Sequence, residues 1–75
     1  MIRQSIKPQQ LEALMEIYSL RDLPEPTRKA VRLRVVNGYT YEVAEFKTGV
    51  TRKRIAAAVK KLEEAHDLIL KAYGV

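Results

Sequence analysis

Arg52, Lys53 and Arg54, followed about two turns later by Lys60 and Lys61, set five cations into residues 51–62 with no Asp or Glu among them. Such side chains at helical spacing can hold phosphates or donate to guanine O6 and N7. Ala56 and Ala57 lie between them and are small enough to let a helix approach a base edge, where an alanine methyl can meet a thymine methyl. The formal net charge of +5 equals this block, because the remaining residues hold nine basic and nine acidic side chains. An excess so localised is the electrostatic footprint of a polyanion-binding surface. A solvated helix face is the competing account of any lysine-rich run.

Other chemistry has few residues to carry it. The chain contains no cysteine, which removes disulfides, thiolate nucleophiles and thiolate zinc sites together. His66 is the sole histidine. With no carboxylate pair at metal spacing beside it, it reads as a partly exposed helix residue, so neither a metal nor a cofactor is expected. Ser5 and Ser19 have no base at helical spacing, and no glycine-rich loop could cradle a nucleotide. Glu63 and Glu64 adjoin Lys60 and Lys61 and read as helix-surface ion pairs. The chain is therefore not expected to be an enzyme. No apolar run approaches the roughly 20 residues that span a bilayer, and MIRQSIKPQQ lacks the apolar stretch of a secretory signal. A soluble, cytoplasmic protein with no membrane partner is expected.

The elements that must position the basic block are helical. Pro8 suits a first helical position, and Leu11, Leu14, Met15 and Tyr18 follow at spacings of three and four, predicting a helix over 8–20. Pro24 and Pro26 break it and open a second helix over about 25–36, which stops at Asn37-Gly38. Thr40 can cap a short third helix, with Glu42 at its positive end and Val43, Ala44 and Phe46 as apolar contacts, ending near Thr48-Gly49. Thr51 caps a fourth, whose inner stripe is Ile55, Ala58, Val59 and Leu62, with the cations opposite. Residues 63–75 either continue this helix or form a fifth. No alternating β pattern persists. The expected fold is all-α: one domain over 1–75, a small bundle of four to five helices containing a helix-turn-helix, with its reader at about 40–65.

A short capped helix, a glycine turn and a helix with one apolar and one basic face is the order of a helix-turn-helix, whose second helix enters the major groove. The cations at its start are costly in isolation. Exposed positive charge near the positive end of a helix dipole destabilises by roughly 0.3–1 kcal/mol per residue, so their placement favours an anion at this terminus. Arg52, Lys53, Arg54, Ala56 and Ala57 are then candidates for base readout, and Lys60 and Lys61 for phosphates. Arg28, Lys29, Arg32 and Arg34 form a second acid-free cluster, from which Arg28 and Lys29 are taken as further phosphate contacts, as is Thr40. Leu68, Ile69, Leu70 and Tyr73 make the tail over 66–75 a dimerisation element, in a chain too short to bury every apolar group it carries.

Val36-Asn37-Gly38, then ten residues, then Gly49-Val50-Thr51-Arg52 with Ile55, Ala58-Val59 and Lys61-Leu62 resembles the DNA-binding domain of KorA/TrfB-type plasmid transcriptional repressors. Lys7-Pro8-Gln9-Gln10-Leu11 resembles the family's opening helix, and the likeness covers about residues 7–65. It implies a homodimeric repressor on a palindromic double-stranded DNA operator, controlling plasmid maintenance or transfer genes, with a second regulatory protein as a further candidate partner. Carried over by position, Thr51 and Arg52 start the recognition helix, and Thr51 joins the base-readout set. Two features depart from the pattern. Full-length members continue into a separate dimerisation domain, and Ala44 lies five residues before Gly49, one more than in many helix-turn-helix proteins. Either the turn is one residue longer or Glu45 takes the small residue's place. Two alternatives stand beside this reading: a PapB-type adhesin-operon regulator, and a basic protein-interaction module that does not read DNA sequence.

Overall fold

The computed structural model describes residues 6–73. Residues 1–5 and 74–75, which complete the domain and the tail expected from sequence, lie outside the described residues. The described chain forms four helices and no strand: α1 (Pro8–Ile17), α2 (Glu25–Val35), α3 (Tyr41–Thr48) and α4 (Arg52–Ala72). The all-α expectation holds. There is no fifth helix among the described residues, because α4 runs unbroken for 21 residues, about 31 Å at 1.5 Å per residue.

Each helix begins where local chemistry supplies an acceptor or removes a donor. Pro8 occupies the first position of α1, and the Lys7 backbone N–H donates to Gln10 Oε1 at 3.0 Å. Thr40 Oγ1 accepts from the Val43 N–H and Thr51 Oγ1 from the Arg54 N–H, both at 3.2 Å, so both threonine caps form. The stops follow from glycine. Gly38 and Gly49 take φ of +74° and +76°, the left-handed conformation that lets the chain turn out of α2 and α3.

α1 ends three residues earlier than its apolar spacing predicts, at Ile17 rather than residue 20. Tyr18 turns extended, and a tight loop forms in which Ser19 Oγ accepts from the Asp22 N–H at 3.2 Å. The carbonyls freed at this end are taken by Arg28 of α2. Its Nη1 donates to the Met15 carbonyl and its Nη2 to the Tyr18 carbonyl, both at 2.7 Å, while Nε donates to the Leu23 carbonyl at 2.6 Å. A guanidinium on the negative end of a helix dipole satisfies orphan acceptors and the dipole together.

One apolar core holds the four helices. α1 contributes Leu11, Leu14 and Met15, the loop Leu23, α2 Ala30 and Val31, and α3 Ala44. Val50 of the turn and Ile55, Ala58, Val59 and Leu62 of α4 complete it, so the inner stripe read from the sequence is the buried one. His66 continues that stripe and is only 5% exposed, which corrects its expected surface position. It lies four residues beyond Leu62 and seven beyond Val59, on the same helical phase, and phase decides its burial. Phe46 departs the other way. It was expected with Val43 to supply an apolar contact, yet it is 90% exposed and Val43 is also at the surface, because α3 meets the core through Ala44, with Tyr41 partly buried beside it.

Candidate nucleic-acid interface

The outward face of α4 carries Lys53, Arg54, Ala56, Ala57, Lys60 and Lys61, all exposed. Its inward face is locked by Ile55 and Leu62, both fully buried, so the orientation of the outer residues is set by the core. Among the described residues, no carboxylate pairs with Lys53, Arg54 or Lys60. The Lys61 ammonium lies 5.4 Å from the centre of the Tyr18 ring, a distance at which the ring face attracts a cation. The alanines leave the helix backbone accessible between these charges.

Arg52 differs from its neighbours. Its Nη1 stands 3.3 Å from Glu42 Oε1 and its Nε 3.2 Å from Glu45 Oε1, so two α3 carboxylates hold it across the turn. The guanidinium is thereby drawn toward α3, and base contact would require it to leave one or both acids. Thr51 and Thr40 are likewise engaged, each accepting a backbone N–H at a helix start. Their caps fix where α3 and α4 begin. Ala44 is fully buried, while Glu45 is half-buried and paired with Arg52.

The second basic cluster dissolves in three dimensions. Arg28 is 7% exposed with its guanidinium spent on three carbonyls, which removes it from the phosphate-binding set. Arg32 forms a two-pronged pair with Glu12 of α1, Nε to Oε2 at 2.7 Å and Nη2 to Oε1 at 2.9 Å. The hydrogen bond from Arg32 holds the Glu12 carboxyl below the usual range and raises Arg32 in turn. Arg34 stacks 4.7 Å over Tyr41 and donates to the Tyr39 carbonyl at 3.3 Å. Only Lys29 of the four is both exposed and without a partner among the described residues. Sequence reasoning missed the acids that restrain Arg52, and it missed Arg21, which approaches Arg54 and Lys61 across a cleft. No local spacing signals either, since Arg52 reaches back seven and ten residues across a turn, and Arg21 lies 33 residues before Arg54.

At the far end of α4 the apolar residues emerge from the body. Leu68 is 68% exposed and Tyr73 80%, while Ile69 is at the surface and Leu70 half-buried. Ile69, Leu70 and Tyr73 lie in phase with Ile55, Leu62 and His66, so the core stripe continues beyond the helices that cover it. Among the described residues, no helix is long and apolar enough to cross a membrane. Comparison of the chain with protein-family models, with curated proteins and with solved structures returns no match.

Proposed function

We propose that α3, the turn at Gly49 and α4 act as a helix-turn-helix reader of duplex DNA, with the first turns of α4 in the major groove. The observation that carries this reading is the start of α4. Lys53 and Arg54 stand exposed, with no carboxylate partner among the described residues, at the positive end of a helix dipole, with Ala56 and Ala57 beside them. A helix stabilised only by its own protein would place acids there, and this first turn has none. An approaching polyanion would complete it. Arg54 and Lys53 are the leading base readers, Lys60 and Lys61 the phosphate contacts, and Arg52 a brace between the two helices that can be released to DNA.

The protein acts, on this reading, as a cytoplasmic transcriptional repressor of the KorA/TrfB kind, bound to a palindromic operator as a homodimer. The uncovered stripe of Ile69 and Tyr73, with Leu68 beside it, supports pairing through the end of α4. Selection of bound sequences from a pool of random duplexes tests the whole reading. The expected product is two inverted half-sites about 10 base pairs apart, one helical turn. Recovery of unenriched sequence would leave only nonspecific polyanion binding and would reject the repressor assignment.

A further inference from the structure

Beside the outer face of α4 lies a cleft of about 310 Å³, walled by the loop between α1 and α2 and by Arg54, Ala57 and Lys61. Three cations border it: Arg21 from the loop, and Arg54 and Lys61 from α4. Among the described residues, none of the three is held by a carboxylate. The start of α2 opens into the same space. Its N-cap is Pro24, whose side chain cannot accept the N–H groups of the first turn, and Pro24 itself lines the cleft. Thr27, in that first turn, also lines the cleft; it is 3% exposed, and its hydroxyl has no hydrogen-bond partner among the described residues. Among the described residues the buried side-chain polar atom without a partner is Arg34 Nε and not this oxygen, so the Thr27 hydroxyl keeps contact with the cleft, where a ligand oxygen can reach it.

Two acids lie near and must be weighed. Asp22 lines the cleft, but its Oδ2 accepts the Ser19 hydroxyl at 3.3 Å, and Glu25 stands in the first turn of α2. Three cations, a free hydroxyl and the positive end of a helix outweigh them. A tetrahedral oxyanion matches this set: its charge meets the cations, and its oxygens can accept from the hydroxyl and from first-turn N–H groups.

We propose that this cleft is a phosphate-binding site, and that in the DNA complex it seats a backbone phosphate bordering the groove that α4 enters; the second clause rests on the DNA-reading proposal above. The cleft shares Arg54 and Lys61 with the reading face, so its phosphate fixes the register of α4 against the bases. Thr27, Arg21 and the start of α2 thus form a second anchor on the backbone.

The test uses the full chain and two ligands. Titration of the DNA-free protein with inorganic phosphate, followed by amide and arginine Nε resonances, is expected to shift Thr27 and Arg21 saturably. Thr27→Val should abolish the saturable shift while leaving thermal stability little changed, since the hydroxyl it removes has no hydrogen-bond partner among the described residues. Thr27→Ser should restore binding. With duplex DNA, Arg21→Gln should weaken specific and random sequences alike by about tenfold and lower the salt slope by about one, with the ratio between them unchanged. Phosphate binding at Thr27 without duplex binding upholds the cleft and overturns the DNA reading. Duplex binding that Arg21→Gln and Thr27→Val leave unaltered, with no saturable phosphate shift, overturns the cleft.

Discussion

From Arg52 to Leu62 the inward stripe of α4 is covered by the other three helices, whereas from Ile69 to Tyr73 the same stripe runs on with little over it. The outward residues differ to match. In the first half they are cations and alanines held in a fixed orientation by a buried stripe. In the second, Leu68 is an exposed apolar side chain on that outward side. One continuous helix thus carries a rigid charged face at one end and an unfinished apolar face at the other. The contrast teaches that burial beneath a helix gives its opposite face a definite geometry, and that apolar residues without such cover call for a second surface.

Truncating the stripe at its two ends should give the largest contrast. Leu62→Ala, at a fully buried position, is expected to cost about 2–5 kcal/mol in urea or thermal unfolding. Ile69→Ala, at 38% exposure, should cost the monomer less than about 1 kcal/mol. Equal costs would mean that the two halves are equally buried in solution. Arg28→Met comes next. It keeps the aliphatic bulk but leaves the Met15, Tyr18 and Leu23 carbonyls without their donor, for an expected loss of about 2–3 kcal/mol. A neutral result would show that water replaces the guanidinium at no cost.

Pairing through the open half is tested by Ile69→Ser combined with Tyr73→Ser. Sedimentation equilibrium should show the dimer weakened by about tenfold to a hundredfold, with helical content retained. A strict monomer in the unaltered protein, free and on DNA, would remove the role given to the tail. The smallest effect concerns the pair between Arg32 and Glu12, far from either half of that comparison. Because the carboxyl of Glu12 is held below its ordinary value of 4.5, its contribution is present above that value and is lost as pH falls through the lowered one. Both side chains are substantially exposed, so the contribution is below about 1 kcal/mol and shrinks with salt. Glu12→Gln should flatten that acid limb of the stability profile and change little near neutrality.

Much of this arrangement was legible in the sequence, for identifiable reasons. Pro24, Gly38, Gly49, Thr40 and Thr51 act on their immediate neighbours, so the boundaries they impose can be read locally. The stripe from Ile55 to Leu62 needs only helical phase. Phase also places His66 inward, but judging it by residue type put it at the surface. Phe46 shows the reverse error, an apolar type taken as a core contact on a helix that meets the core through Ala44 and Tyr41. Arg28 and Arg52 were illegible in a different sense. Their partners are carbonyls or carboxylates brought near by tertiary packing, and a count of charges along the chain cannot distinguish a guanidinium closing a helix end from one awaiting a phosphate. The cleft at Thr27 depends on the same packing, since its walls come from the loop, α2 and α4 together.

The central claim is that the first turns of α4 read base sequence. Its most direct test is the affinity of the unaltered protein and of Arg54→Ala for a selected duplex and for random duplex at one salt concentration. The unaltered protein should prefer its selected site by about 10³ or more. Arg54→Ala should reduce that preference by about 1–3 kcal/mol at the contacted base pair, in excess of whatever loss random duplex shows through the phosphate cleft that Arg54 borders. An equal loss on both duplexes, or no preference in the unaltered protein, would contradict the claim and leave α4 a phosphate-binding helix alone.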